Sequence, residues 1–286
     1  VFYMVIFMVA FGFSIGAQIL IARRNGEQQY KEIGDLFYQG IYFQVGMATV
    51  MFLLSYCFSP IILKRIVASE HIYEAATSYL HWRVFGAFFS FSAVMFRAFF
   101  LGTTQTKTLT LNSIVMVLSN VVFNYILIFG KFGLPEMGIK GAALGTICAQ
   151  FLALLGVLYH FSSPKSFIRF QKGIFKVRWH IVGGMLAIGL SPFLMNLCSC
   201  LIVLLINNGL KDFGGDMYIG AYGIVNRIVF LFIMIVMGFN QGMQPIAGYN
   251  FGARQLDRMI RVLKYTTLCA ITVTTLGFLI CQIFPR

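Results

Sequence analysis

Charged residues are scarce in this sequence. Only 11% of the 286 residues are charged, while 59% are hydrophobic and the mean hydropathy is +0.82. A soluble domain carries about 25% charged residues, which help to cover its surface. Lipid tails solvate Leu, Ile and Phe directly, so that only the connections between helices need charge. The composition therefore excludes an ordinary soluble protein and predicts an all-α, polytopic membrane protein.

Acidic residues are the rarest charged group, with nine Asp and Glu against 22 Lys and Arg. All nine lie in connections between apolar stretches or near the ends of those stretches. The six cysteines form no CxxC pair and no Cys/His spacing typical of a metal site. A membrane-embedded enzyme would need an acid, a histidine cluster or a nucleophile dyad inside the bilayer. The sequence therefore predicts neither an enzyme nor a bound cofactor.

Eight apolar stretches are long enough to cross a bilayer, which takes about 20 residues. They are 1–22, 36–63, 80–102, 108–130, 138–161, 180–209, 217–247 and 259–284. Alternate connections contain fourteen of the 22 Lys and Arg residues, and the positive-inside rule places those connections in the cytosol. Because these residues are spread among connections rather than gathered into one patch, nucleic-acid binding is not expected.

An internal repeat predicts the architecture. Residues 12–29 align without gaps on residues 238–255, at an offset of 226, with six identities in eighteen positions. The identical pairs are Gly12/Gly238, Phe13/Phe239, Gly16/Gly242, Gln18/Gln244, Gly26/Gly252 and Gln29/Gln255. The two copies lie on the first and seventh predicted helices, which therefore run in the same direction. This predicts a parallel repeat of two pseudo-symmetric bundles, related by an axis along the membrane normal.

The repeat also predicts how the chain is divided. An N-terminal helical lobe is expected at 1–161, a cytosolic linker at 162–180, and the start of a C-terminal lobe at 181–286. By the same offset, one helix is expected before Val1 and about three after Arg286, which would complete a twelve-helix protein.

Neutral polar residues are the candidates for a path through the membrane. Asn120 and Asn124 share a face of the fourth helix, and Asn196 lies on the sixth. An amide inside a bilayer must face other helices or a wet cavity. Hydrogen bonding between helices is the alternative explanation for any one of these side chains.

Prolines and glycines mark candidate hinges. Pro192 interrupts the sixth helix, and the string GMQPIAGYNFGA at 242–253 interrupts the cytosolic end of the seventh. The candidate hinge or joint residues, including the first-helix copies, are Gln18, Gly26, Pro192, Gln244, Pro245, Tyr249, Asn250 and Gly252.

The string GMQPIAGYNFGA resembles a signature of the multidrug and toxic-compound extrusion (MATE) family. LSNVVFNYILIFGKFGLPEMGIKGAALGT at 118–146, RRNGEQQ at 23–29 and FRAFFLGTTQTKT at 96–108 are also similar to the family's sequences. The resemblance covers the family's second to ninth helices. It implies two six-helix bundles around a cleft, and it implies Asn120, Asn124 and Thr146 as residues of the substrate or ion path.

The function implied by the resemblance is secondary transport. Drug-like organic cations would be exported across the cell (inner or plasma) membrane in exchange for protons or sodium, by a monomer that needs no cofactor. The alternative is a lipid-linked oligosaccharide flippase of the same superfamily. A flippase would need a wide, strongly cationic cleft, whereas this chain has few basic residues inside its predicted crossings.

Overall fold

The computed structural model describes residues 2–66, 70–131, 133, 135–162 and 177–283, and within these ranges it contains helices and no strand. The predicted all-α fold class is confirmed. The helices are α1 (Phe2–Gly26), α2 (Tyr30–Ile66), α3 (Glu70–Gly102), α4 (Thr106–Phe129), α5 (Gly138–Ser162), α6 (Trp179–Gly252) and α7 (Leu256–Ile283).

Eight segments of these helices are long and apolar enough to cross a membrane, as predicted. They are Phe7–Gly26, Tyr30–Phe58, Trp82–Gly102, Thr106–Phe129, Gly138–Phe161, Trp179–Val203, Gly220–Gly252 and Leu256–Ile283. Two of them lie on α6, which is helical throughout its 74 residues. The predicted crossings 180–209 and 217–247 therefore belong to one helical element, and the polar residues between them are themselves helical.

Both crossings of α6 pack against α1. A Cβ atom on Gly16 would overlap with the carbonyl oxygen of Met185, and a Cβ atom on Gly26 would overlap with that of Tyr249. Gly16 and Gly26 are about 15 Å apart along α1, whereas a straight helix would separate Met185 from Tyr249 by about 96 Å. The element α6 is therefore not a straight helix, because the chain bends back on itself between the two crossings.

The first crossing of α6 runs antiparallel to α1 at very short range. Gly12 lies against Gly189, and Gly16 lies against Met185, so that the two backbones touch. Small residues spaced four apart allow this approach, and in a membrane such van der Waals packing is a main source of helix association.

A cluster of phenylalanines joins α2, α3 and α5. The ring of Phe37 lies 5.0 Å from that of Phe99 and 5.1 Å from that of Phe161, centroid to centroid. Phe96 and Phe100 also contact Phe161, and all five side chains are buried. These aromatic side chains therefore face one another in the core rather than an open cleft.

The division into lobes stays a prediction. Most of the linker predicted at 162–180 lies outside the described residues, which end at Ser162 and resume at Val177.

Substituting Gly16 with valine is expected to destabilise the fold, because the new side chain would force two helix backbones apart. Overpacking of this kind costs roughly 1–3 kcal/mol, equivalent to a melting temperature lowered by about 2–10 °C. Thermal unfolding of the purified protein in detergent measures this change. Gly183→Val is the matched control, because nothing lies within 4 Å of a Cβ atom at Gly183 on the facing helix. Equal melting temperatures for the two variants would contradict the packing described.

Candidate transport site and the contact between the repeats

The two copies of the sequence repeat touch each other. The side chain of Gln18 donates a hydrogen bond from Nε2 to Oε1 of Gln244, at 3.2 Å. One turn further along, a Cβ atom on Gly248 would lie 2.8 Å from the Cβ atom of Ala22. Both pairs are separated by 226 residues, the offset of the repeat. A local two-fold axis between two parallel helices brings equivalent residues into contact. The two pairs therefore indicate such an axis between α1 and the second crossing of α6.

Reciprocal contacts show the same symmetry. A Cβ atom on Gly26 would overlap with the carbonyl oxygen of Tyr249, and one on Gly252 would overlap with the carbonyl oxygen of Arg23. Tyr249 is the repeat equivalent of Arg23, and Gly252 is that of Gly26. Each glycine therefore lies on the backbone of the other copy, as in the isologous interface of a symmetric dimer.

The same turn follows each of these helices and also α3. The three segments are Gly26–Gln29, Gly102–Gln105 and Gly252–Gln255, and all have the sequence G-x-x-Q. In each, the third residue has a positive φ, 59° at Gln28, 61° at Thr104 and 58° at Arg254, which is uncommon for a residue other than glycine. In each, the backbone N–H of the glutamine donates to the carbonyl oxygen five residues earlier, at 2.8–3.0 Å.

The three turns lie at one end of the bundle, called here the basic end, which also includes the start of α6. Side-chain Nδ2 of Asn25 lies 3.5 Å from the carbonyl oxygen of Gly102, which brings the α3 turn against the α1 turn. The guanidinium of Arg23 lies 5.3 Å from the centre of the Phe251 ring, a cation–π contact between the two repeat copies.

One carboxylate at the basic end accepts hydrogen bonds from two arginines. Glu27 pairs with Arg23 at 3.0 Å and with Arg24 at 2.5 Å. Desolvation raises the pKa of Glu27, but the hydrogen bonds from Arg24 and Arg23 and their positive charges outweigh it, so that the pKa lies below its ordinary value. Glu27 therefore stays ionised at neutral pH.

The structure brings together three of the four residues predicted for the substrate or ion path. Nδ2 of Asn124 donates to Oδ1 of Asn120 at 2.9 Å. Asn120 and Thr146 line a small cavity of about 170 Å³ between α4 and α5, together with Gln150. The Oγ1 of Thr146 donates to the Ala142 carbonyl oxygen at 2.9 Å. This arrangement forms a polar strip on the otherwise apolar surface of the two helices.

One oxygen atom in this strip is a hydrogen-bond acceptor that has no donor among the described residues. Oδ1 of Asn124 is buried against Gly145 and accepts no hydrogen bond from the described residues. A buried acceptor without a donor costs free energy, typically about 1–3 kcal/mol. Asn124 Oδ1 is thus a buried acceptor beside the cavity, and the neighbouring Asn120, to which Asn124 is hydrogen-bonded, lines the cavity itself.

The fourth predicted path residue lies apart from the other three. Nδ2 of Asn196 donates to the carbonyl oxygen of Pro192 at 2.8 Å, within its own helix. Across the described residues, α4 and α6 make no contact. Asn196 and the Asn120–Asn124 pair are thus on separate elements that do not touch.

The predicted hinge residues all lie on α1 and α6. Pro192 is inside the first crossing of α6 and Pro245 is inside the second. The Asn250 side chain is buried and donates from Nδ2 to the carbonyl oxygen of Ile246 at 2.8 Å. The other five, Gln18, Gly26, Gln244, Tyr249 and Gly252, form the contact between the repeat copies.

The sequence profile of the MatE family matches residues 1–126 and 187–286. The chain belongs to the MatE family. The two matched stretches include α1 and the second crossing of α6, the elements that carry the repeat.

Two relatives align with nearly the whole length of this chain. The probable multidrug resistance protein NorM of Thermotoga maritima is 25% identical over 284 residues, 99% of this chain and 60% of NorM. The multidrug export protein MepA of Staphylococcus aureus is 25% identical over 273 residues, 93% of this chain and 59% of MepA. The chain therefore spans about three fifths of the length of these relatives. Their names are those of transport proteins, in agreement with the prediction that the chain is not an enzyme.

Solved structures of the family share the fold. A MATE protein in a bent conformation superimposes with a TM-score of 0.92 at 18% identity, covering 99% of this chain and 62% of that protein. The MATE multidrug transporter DinF-BH superimposes with a TM-score of 0.80 at 27% identity, covering 99% of this chain and 63% of that transporter.

Several features of this region were missed in the sequence. The third G-x-x-Q turn at Gly102 could have been found by searching for the pattern shared by the other two. Gln150, which lines the cavity and accepts a hydrogen bond from Arg83 at 3.4 Å, gave no signal beyond being polar in an apolar stretch. The stacking of Arg23 on Phe251 depends on how two distant helices meet.

Replacing Glu27 with glutamine is expected to lower the stability of the basic end at neutral pH. The pKa of Glu27 is lower in the folded protein than in the unfolded chain, so its contribution is complete above about pH 4.5. That contribution is lost as the pH falls through the lower pKa of the folded state. The difference in melting temperature between wild type and Glu27→Gln should therefore be present at pH 7 and shrink below about pH 4.5. A difference that does not change with pH would rule out this role for the carboxylate.

Proposed function

We propose that this chain is part of a secondary transporter that exports drug-like organic cations by antiport with protons or sodium. The transporter would act as a monomer in the cell membrane, through alternating access and without a cofactor. The names of the MatE relatives support multidrug export. The observation that carries the mechanism is the symmetric contact between α1 and the second crossing of α6.

This contact suits a gate at the basic end. Its side-chain part consists of one hydrogen bond between neutral glutamines, worth about 1 kcal/mol, and one arginine–phenylalanine contact, worth about 0.5–1 kcal/mol at an exposed site. The rest is van der Waals packing of glycines on backbone. Two states separated by a few kcal/mol are both accessible, as a transporter that alternates between them requires.

The cavity between α4 and α5 supplies the proposed binding groups. The amide oxygens of Asn120 and Asn124 carry partial negative charge in a region of low dielectric, where they attract a cation more strongly than in water. In this proposal, Asn120 and Thr146 at the cavity wall bind the organic cation or the coupling ion, and Asn124 holds the Asn120 side chain in place through their hydrogen bond.

Alanine at Asn120 or Asn124 is expected to reduce efflux. The loss of one hydrogen-bonding partner costs about 1–3 kcal/mol, so we expect transport to fall roughly fivefold or more at low substrate concentration. The measurement is ethidium efflux from cells that produce the natural gene product. Asn112→Ala is the matched control, because Asn112 lies on the same helix but neither lines the cavity nor takes part in the hydrogen bond between Asn120 and Asn124. Undiminished efflux in both cavity variants would remove these asparagines from the path.

Cross-linking the two repeat copies is expected to stop transport reversibly. Ala22→Cys and Gly248→Cys introduce two cysteines whose Cβ atoms would lie about 2.8 Å apart. A small separation of the helices brings this distance to the roughly 3.5–4.5 Å of a disulfide. In a background without the six native cysteines, oxidation should abolish efflux and a reductant should restore it.

The two single-cysteine variants are the controls for this experiment, and oxidation should leave their efflux unchanged. Full efflux by the cross-linked protein would show that this contact does not open during transport.

A further inference from the structure

A second cavity lies at the basic end, between the end of α1, the start of α2 and the start of α6. Its volume is about 460 Å³. Charged and titratable side chains form its rim. They are Arg24, Lys31, Glu32, Asp35, Arg178 and His180. This cavity is separate from the one that contains Asn120 and Thr146.

The rim has an excess of positive charge. Both carboxylates are already paired, Asp35 with Arg178 and Glu32 with Arg24, at 2.9 Å each. Lys31 makes no ion pair with any residue that the structure describes. The rim has three cations and two carboxylates, and Glu27, which also pairs with Arg24, is balanced by its second partner Arg23. One net positive charge remains, on the exposed Lys31 at the mouth of the cavity.

The inner wall of the cavity is apolar. Leu20, Leu36 and Gly184 each lie four residues further into the membrane than a rim residue of the same helix, and Ile181 lies next to His180. A cationic rim above an apolar wall matches a phospholipid, which has an anionic phosphate above acyl chains. A free phosphate ion would use only the rim.

The position in the membrane fits the same ligand. Trp179, beside the rim, has 72% of its surface exposed, and tryptophan is the residue typical of the headgroup level. The neighbouring linker carries four further basic residues in its sequence, Lys165, Arg169, Lys172 and Lys176, outside the described part of the chain. Basic pockets between transmembrane helices on the cytosolic side bind anionic lipid headgroups.

We propose that this cavity binds the phosphate headgroup of an anionic phospholipid, with Lys31 as its main charge partner and Arg24 and Arg178 beside it. The lipid would lie in the seam between α1–α2 and α6. The proposal does not depend on the transported substrate or on the coupling ion.

Tryptophan quenching tests the proposal, because the chain has two tryptophans only. In a Trp82→Phe background, Trp179 reports on the rim. The protein is reconstituted in phosphatidylcholine vesicles that contain either brominated phosphatidylglycerol or brominated phosphatidylcholine at equal mole fractions. Brominated phosphatidylglycerol should quench Trp179 more strongly. In Lys31→Gln its relative association constant should fall about fivefold, the factor expected for one cation near an anionic surface.

Lys107→Gln is the matched control, because Lys107 is an exposed lysine next to the G-x-x-Q turn of α3 and does not line the cavity. It should keep the preference for phosphatidylglycerol. Equal quenching by the two lipids, or equal loss in Lys31→Gln and Lys107→Gln, would overturn the proposal. Displacement of brominated phosphatidylglycerol by glycerol phosphate, beyond the effect of chloride at the same ionic strength, would assign the site to a soluble phosphate and overturn its assignment to lipid.

Discussion

The approach of glycine to carbonyl oxygen between α1 and α6 is the contact on which the rest of this structure depends. Lipid tails are as apolar as leucine, so burial of apolar side chains does not by itself drive helices together in a bilayer. Backbones must approach closely enough for van der Waals contact. Gly16 makes this approach to the first crossing of α6, and Gly26 makes it to the second. The helix α1 thereby holds together two crossings that are far apart in sequence.

Symmetry explains two of the six identical pairs of the repeat, Gly26/Gly252 and Gln18/Gln244. Near a two-fold axis, a residue meets its own equivalent or the neighbour of that equivalent, so a small residue is needed in both copies or in neither. Gly26 and Gly252 satisfy this condition, and Gln18 and Gln244 pair directly. The eight crossings and the direction of the repeat were predictable because bilayer thickness and chain alternation leave few options. The stacking of Arg23 on Phe251 and the unused oxygen of Asn124 were not, because they depend on the rotation of each helix about its axis.

The packing among the first five helices changes with distance from the basic end. The cluster of Phe37, Phe99 and Phe161 lies near the basic end, since Phe99 and Phe161 come within three residues of the ends of α3 and α5. The cavity lined by Asn120 and Thr146 lies further from the basic end, at the level of the middle of α4 and α5. The aromatic cluster is tightly packed next to the contact between the repeat copies, and the polar strip lies further from the basic end. This arrangement would let the basic end stay rigid while a solute enters from the opposite end.

Arg24 connects the contact between the repeats with the cavity at the start of α6. It donates to Glu27, which follows the Gly26 contact, and to Glu32, which lies on the cavity rim. A negative group in the cavity would compete with Glu32 for this guanidinium, and the strength of the Arg24–Glu27 pair would change with it. Because Glu27 also pairs with Arg23, which stacks on Phe251, the electrostatic effect would extend to the second repeat copy. A charge bound in the cavity would therefore act on the contact between the repeat copies through one arginine.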